Sequence, residues 1–211
     1  MPFLHGSYKR RPLQCFLRSQ NYANMLTLDF RKFPVIVTER LILRQLVYQD
    51  ALQIYKLRSD SSVNELVGRN ISPSLEEAKE HITKIAQLVN NGEGIYWGIC
   101  FKDSDTLIGT ICYWNFIPKD GRAEIGYELL PEFHGNGIMT EAIKHVISFG
   151  FEKINISIVT AFTSTNNKSS IALLIKSGFS LDNESYNSNH DTVTDIVTYT
   201  LSRQKYSGTI N

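Results

Sequence analysis

The chain has 211 residues, 22 Lys+Arg against 21 Asp+Glu, 42% hydrophobic and 11% aromatic residues, an ordinary composition for a globular protein. A net charge of +1 gives no sign of a nucleic-acid-coating protein, and no apolar run approaches the ~18–20 residues that span a bilayer, so neither nucleic acid nor a membrane is an expected partner. Cys15, Cys100 and Cys112 have no metal-like spacing and make no even disulfide set; Cys100 and Cys112 sit inside apolar strand patterns as small buried hydrophobes, which suits a reducing cytoplasm and a site without metal.

Residues 1–33 carry Lys9, Arg10, Arg11, Arg18, Arg31 and Lys32 against Asp29, a local charge of +5 that leaves −4 for the remainder. The segment is rich in Arg, poor in acids, loosely similar to a mitochondrial presequence, and lacks the apolar core of a secretory signal. Apolar periodicity begins at Met25. Residues 1–32 therefore read as a basic N-terminal extension, disordered or, over 1–24, the product of an upstream translation start. Val35–Gln45 alternates Leu41 and Leu43 against Arg40, Ile42 and Arg44 as a strand does. Leu52, Ile54, Tyr55 and Leu57, after Asp50, are spaced for one helical face. Ser74 and Glu77 form a capping-box pair that starts a second helix, which stops at Asn90-Asn91-Gly92. Ile95–Phe101, Thr106–Phe116 and Arg122–Leu130 are strand-like and joined by short polar turns, hence antiparallel. After Pro131 come Gly135-Asn136-Gly137 and a helical pattern through Phe149-Gly150. Ile156–Phe162 reads as a buried strand, Asn167–Lys176 as a short helix ending at Gly178, and Phe179–Tyr186 and Thr192–Leu201 as the last strands. The sum is one α/β domain with a mixed sheet over about residues 33–203, followed by a tail over 204–211.

The informative stretch is Ala123–Ala142, AEIGYELLPEFHGNGIMTEA. A strand enters a glycine-containing turn and passes directly into a helix. Gly135 and Gly137 allow close backbone approach, and the first N–H groups of the helix lack internal partners while its dipole adds positive charge. Together these suit a pyrophosphate. A P-loop would need Gly-Lys-Ser/Thr where Gly137-Ile138-Met139-Thr140 stands, and a dinucleotide fingerprint would need three glycines in an early βαβ unit.

A second stretch, Thr160–Phe179, reads TAFTSTNNKSSIALLIKSGF. With it the chain resembles the Gcn5-related N-acetyltransferases (GNAT), and within them the RimJ/RimL-type branch. Thr38–Arg44 resembles the family's first strand, Ala123–Tyr127 through Glu141-Ala142 its acetyl-CoA motif, and Asn167–Ser170 with Lys176–Phe179 its second cofactor block. The resemblance covers roughly residues 33–203. It implies a mostly antiparallel α/β (α+β) sheet with helices on both faces, splayed between a fourth and a fifth strand, here Arg122–Leu130 and Ile156–Phe162. It implies acetyl-CoA as co-substrate, with the pantetheine arm beside Tyr127, Leu129 and Leu130 and the diphosphate on the N–H groups of His134, Gly135, Asn136, Gly137, Ile138, Met139 and Thr140. Asn167 would bond the pantetheine and Ser170 would sit near the sulfur. A homodimer is a further expectation of the resemblance. The sequence departs from the superfamily pattern at His134, at Met139, and at Leu174, where a tyrosine is common; without that phenol, Ser170 or a water it holds would serve the leaving thiolate.

Acetyl transfer to an amine needs a polarised thioester carbonyl, a neutral amine delivered by a base, reactants held at attack distance and a stabilised thiolate. Glu124 is the candidate base. Alternation places Glu124, Gly126 and Glu128 on one face of their strand, whereas the base carboxylate that some superfamily members carry here aligns with Ala123, a mismatch that a bulge would correct; solvated or ion-paired glutamates are the rival reading. His81 and His145 read as helix residues without a catalytic role, His190-Asp191 as a turn near the acceptor, and Trp97, Tyr113 and Trp114 as core or cleft lining. The expected activity is transfer to a primary amine by direct attack in a ternary complex, the acceptor being a protein N-terminal amine as the RimJ/RimL-type resemblance implies. The alternatives are a small-molecule amine (polyamine, aminoglycoside or amino acid) or a non-catalytic CoA-binding module.

Overall fold

A computed structural model describes residues 25–67, 74–183 and 195–209. Its strands are β1 (Ile36–Val37), β2 (Leu41–Gln45), β3 (Ile95–Phe101), β4 (Leu107–Ile117), β5 (Arg122–Leu129), β6 (Ile158–Ser164), β7 (Ser180–Asp182) and β8 (Ile196–Ser202), and its α-helices are α1 (Ala51–Ser59), α2 (Ser61–Val67), α3 (Leu75–Asn90), α4 (Ile138–Phe149), α5 (Lys168–Lys176) and α6 (Arg203–Thr209). One sheet runs β1-β2-β3-β4-β5-β6-β8-β7. Each neighbouring pair is antiparallel except β5 with β6. This is the mixed, mostly antiparallel α/β sheet that the sequence implies.

Period-2 alternation divides the sheet's central strands between two layers. Ile95, Trp97, Ile99, Ile111 and Tyr113 are fully buried. Trp97 meets Phe149 edge-on at 5.4 Å, and the Tyr113 hydroxyl donates to Val146 O at 3.1 Å, so this face carries α4. Burial on this scale contributes about 1.5–3 kcal/mol for each large apolar side chain. The opposite face shows Tyr96, Cys112 and Trp114 to a cavity walled by α1 and α3. The α3 start forms as its sequence dictates: Glu77 N–H donates to Ser74 Oγ at 3.2 Å, and Ser74 N–H to the Glu77 carboxylate at 2.6 Å.

Several boundaries differ from the sequence expectation. The strand expected over Val35–Gln45 breaks between β1 and β2, because Thr38 turns inward: its hydroxyl donates to Glu141 on α4 at 2.6 Å, and Leu41 N–H donates back to Thr38 Oγ1 at 3.0 Å. The strand expected from Ile156 starts at Ile158, since Arg203 holds Ile156 O at 2.7 Å. The short α2 carries no strong apolar stripe, and α6 is a polar helix fastened by Tyr206 against Phe151, ring centroids 5.0 Å apart; neither stands out in the sequence. Upstream, Leu26 and Phe30 are buried in the same core, and Thr27 N–H donates to Ile154 O at 2.8 Å, so the packed body reaches back past residue 33 to Met25. Cys15, His190 and Asp191 lie outside the described residues.

The splay is built into the β5·β6 ladder. Arg122, Ala123 and Glu124 pair with Ile158, Val159 and Thr160, and there the pairing stops. Beyond it β5 stays bonded to β4 as far as Leu129, while β6 stays with β8. Main-chain groups from Ile125 onward thus edge a gap.

Candidate functional site

Two cavities open from that gap. One, of about 360 Å³, is lined by Leu129, His134, Gly135, Gly137–Thr140, Ser169, Leu173 and Lys176, among others. The other, of about 310 Å³, lies over the polar face of β4 and β5. Tyr127, Glu128, Asn167 and Ser170 line both, so the seam between them runs from β5 to the start of α5.

The first cavity has the features of an anion cleft. Gly135 and Gly137 adopt left-handed backbone, φ +76° and +71°, which glycine reaches without penalty. A Cβ on Gly135 would meet nothing within 4 Å, so the turn is open on that side. Gly137 begins α4 with no side-chain cap, and the first helical bond is Glu141 N–H to Gly137 O. The N–H groups of Ile138, Met139 and Thr140 precede it and have no intrahelical acceptor. The Ile138 and Met139 side chains are buried in the core, so these two residues can address a ligand by main chain alone. Glu141 stands near the same helix start, where its charge would repel an anion. Burial opposes its ionised form, yet hydrogen bonds from Thr38 Oγ1 (2.6 Å) and Arg40 N (2.8 Å), and the Arg40 guanidinium at 2.6 Å, hold the carboxyl at about 2. The charge is thereby neutralised on the side away from the cleft, and Arg40 also donates to Asn136 O at 3.1 Å, bracing the turn.

Two of the expected cofactor residues have their main-chain N–H groups engaged within the fold. His134 N–H already donates to Pro131 O at 3.0 Å, and its Nε2–H donates to Leu129 O at 2.9 Å; the 3-10 turn Pro131–Phe133 folds His134 back, and Nδ1 is the ring atom left to address a ligand. Leu130 N–H donates to Ile108 O at 2.9 Å and its carbonyl accepts from Phe133, while its side chain packs with Leu57 and Val63; it belongs to the β4 side. By alternation, the main chains of Tyr127 and Leu129 face the gap instead. The Asn136 amide turns back on His134 O at 3.2 Å. Asn167 caps α5, its Oδ1 accepting from Ser170 N–H at 3.0 Å, so its amide NH2 is the group left for a ligand. The Ser170 hydroxyl shares a 2.8 Å hydrogen bond with that of Tyr127.

In the second cavity Glu124 is nine-tenths or more buried. It pairs across the ladder with Trp114, and the Asn115 amide lies 3.5 Å from its carboxylate. No bulge in β5 is needed to aim it. The irregularity falls on β4 between Trp114 and Ile117, where Asn115 takes φ 47°, and Ala123 is fully buried in the core. Sequence reasoning passed over Arg58 and read His81 only as a helix residue; their side chains approach at 3.4 Å in this cavity. Their signal was helical spacing: Arg58 follows Ile54 by four and His81 precedes Ile85 by four, which puts each on the inward face. His145 stays structural, with Nδ1–H donating to Glu141 O at 2.9 Å. Trp97 and Tyr113 are core, Trp114 lines the cavity, and Cys112 is a buried thiol pushed well above the usual range by burial.

A model of the acetyltransferase (GNAT) domain matches residues 40–180, which takes in the lining residues of both cavities except Ile196. The chain belongs to the GNAT acetyltransferase family. It is an acetyl-CoA-dependent N-acetyltransferase. The uncharacterized N-acetyltransferase YoaA of Bacillus subtilis (strain 168) is 42% identical over 147 residues, 70% of this chain and 83% of its own length. In fold the chain is similar to the ribosomal-protein-S5-alanine acetyltransferase from Vibrio fischeri (TM-score 0.69, 20% identity, 80% of this chain and 96% of that one). It is equally similar to the ribosomal L7/L12 alpha-N-protein acetyltransferase RimL in complex with coenzyme A (TM-score 0.68, 19% identity, 80% and 98%). The GNAT splay and the two cavities coincide: the open turn with its uncapped helix end suits the CoA diphosphate, and the gap edge of β5 suits the pantetheine amides. Among the described residues no group of His, Cys, Asp and Glu gathers to hold a metal, and no helix is long and apolar enough to cross a membrane.

Proposed function

We propose that this GNAT enzyme acetylates a protein N-terminal α-amine by direct attack in a ternary complex. The observation that carries the reading is the pair of cavities meeting at Tyr127, Glu128, Asn167 and Ser170: the donor enters along the α4 turn, and the acceptor comes from the face of Glu124. Acetyl-CoA supplies the activated acyl group. Main-chain N–H groups of Gly135 through Thr140 and the gap edge at Tyr127 and Leu129 hold its diphosphate and arm. Glu124, buried beside Trp114 and the Asn115 amide, takes a proton from the acceptor ammonium. A main-chain N–H at the splay polarises the thioester carbonyl.

Among the charged groups lining the acceptor cavity, Glu124 and Glu128 outnumber Arg58 by one. A polyamine or aminoglycoside carries several cations and would call for a more acidic lining. A single ammonium followed by peptide carbonyls suits this mixture, with Arg58 as a donor to a carbonyl. The cytoplasmic setting is part of the same proposal. The test is calorimetry with acetyl-CoA, followed by thiol release over a panel of peptide N-termini and small amines. Turnover on peptides supports the reading; turnover confined to polyamines or aminoglycosides overturns the acceptor, and acetyl-CoA binding with no turnover on any amine marks a binding module.

A further inference from the structure

We propose that Asn136 modifies itself: its side-chain amide is converted to a carboxyl by attack of the Gly137 main-chain nitrogen, and the charge so created weakens the hold of the α4 turn on acetyl-CoA. The modification stands on the fold alone; its consequence for acetyl-CoA rests on the reading of the turn given above. An asparagine followed by glycine offers this reaction the least steric resistance, because glycine has no side chain to shield its nitrogen. The chain has two such pairs, Asn91-Gly92 and Asn136-Gly137, and both asparagines are exposed. By sequence the two pairs are alike; by structure they are not.

They sit at opposite poles of helices. Asn91 is the C-cap of α3, and the Gly92 N–H donates to Val89 O at 3.1 Å. That nitrogen is engaged, and the helix dipole there opposes the negative charge the nitrogen must take on before it attacks. The Asn91 amide also donates to the Glu93 carboxylate at 3.3 Å, a second negative charge close by. Gly137, in contrast, is the residue from which α4 starts, where the dipole favours negative charge. Among the described residues nothing accepts the Gly137 N–H. The Arg40 guanidinium donates to Asn136 O at 3.1 Å, the carbonyl of the peptide unit that contains the attacking nitrogen. A cation on that oxygen draws charge from the nitrogen and eases the loss of its proton.

The atoms balance with water as co-reactant. Solvent hydroxide takes the Gly137 N–H proton. The nitrogen bonds to Asn136 Cγ, the bond from Cγ to Nδ2 breaks, and Nδ2 takes a proton from solvent and leaves as ammonia. The cyclic imide so formed adds water at one of its carbonyls. Opening at the side-chain carbonyl gives aspartate; opening at the main-chain carbonyl gives isoaspartate, with the main chain rerouted through Cγ. Either product adds a carboxylate to the turn. In the aspartate it stands where the amide donated to His134 O at 3.2 Å and to Phe133 O at 3.4 Å, so oxygen faces oxygen. The same charge opposes a diphosphate on the neighbouring N–H groups. Bound acetyl-CoA acts the other way: a diphosphate that takes the Gly137 N–H occupies the nitrogen and protects Asn136. Molecules that stand without acetyl-CoA are the ones converted.

The full chain is kept in warm, mildly alkaline buffer with and without acetyl-CoA. Peptide mass spectrometry follows the amide-to-acid mass change at Asn136 and Asn91, and enzymatic isoaspartate methylation marks the isoaspartate share. Asn136 converts about tenfold faster than Asn91, from the engaged N–H and the helix poles together. Saturating acetyl-CoA slows Asn136 severalfold and leaves Asn91 unmoved. The converted chain, separated by ion exchange, and the Asn136→Asp variant each bind acetyl-CoA about tenfold more weakly by calorimetry. Should Asn136→Asp not fold, the converted chain decides. Conversion of Asn91 as fast as Asn136 overturns the modification site. Conversion at Asn136 that leaves acetyl-CoA affinity unchanged overturns its consequence. Failure of the unaltered chain to bind acetyl-CoA overturns that consequence together with the reading of the turn, while the rate ratio of Asn136 to Asn91 still decides the modification.

Discussion

α4 and α5 both begin at the edge of the same cleft, and their first turns are finished in opposite ways. α4 starts from left-handed Gly137 with no side chain on its leading N–H groups, whereas α5 starts from Asn167, whose Oδ1 takes the N–H of Ser170. A helix start without a cap keeps donors that must find a partner, and within a half-enclosed cleft an anion is the partner that fits. A capped start has a leading donor satisfied, here the Ser170 N–H, and offers a side-chain hydroxyl instead. On the proposed reading, one end grips the charged part of the donor and the other meets its reacting end.

That division can be broken at separate points. The largest loss is expected away from both helix starts: Glu124→Gln lowers kcat by about 10²–10³-fold, the range of a positioned base, while acetyl-CoA affinity measured by calorimetry stays within about twofold. At the α4 start, Gly137→Val forces a β-branched residue to φ +71° beside the Arg40 guanidinium; backbone strain of about 1–3 kcal/mol weakens acetyl-CoA binding by roughly ten- to a hundredfold in the same calorimetric measurement. At the α5 start, Asn167→Ala removes the cap and lowers stability by about 1 kcal/mol, read as a fall in Tm of roughly 2–4 °C. Acetyl-CoA affinity falls less than in Gly137→Val. An affinity loss in Asn167→Ala as large as in Gly137→Val would remove the distinction between the two helix starts.

The smallest effect concerns the carboxylate behind the α4 turn. Glu141 ionises at about 2 in the folded protein, below its ordinary value of 4.5. A depressed carboxylate stabilises the fold fully above its unfolded value and loses that contribution as pH falls through the folded value. Glu141→Gln should therefore destabilise the protein by about 1–2 kcal/mol at neutral pH, as loss of hydrogen bonds to a charged group does. Urea denaturation should show the difference shrinking between pH 4.5 and 2. A difference that grows as pH falls would contradict the Thr38–Arg40–Glu141 arrangement.

Much of this was legible before any coordinates. The Ser74–Glu77 box, the strand Ile95–Phe101 and the glycine turn before α4 rest on local rules of capping, alternation and positive φ, and they stand where those rules put them. The candidate site was legible only by chain segment. His134 and Leu130 belong to a stretch that does touch the cleft, yet their hydrogen bonds go to Pro131, Leu129 and Ile108. Arg58 and His81 gave only a helical-face signal, and only the packing of α1 and α3 over β4 turns it into a cavity wall. Similarly, no local pattern hinted that the Tyr127 hydroxyl on β5 meets that of Ser170 on α5.

By itself the amino-acid sequence determined most of the elements, α2 and α6 excepted, together with the open turn at Gly135–Gly137 and the family blocks, because those depend on neighbours a few residues apart. Tertiary structure alone decided where β5 parts from β6, which main-chain groups that parting leaves facing the cleft, and which hydroxyls meet across it. These are contacts between residues tens of positions apart, and they come into being only when the whole sheet closes on its helices.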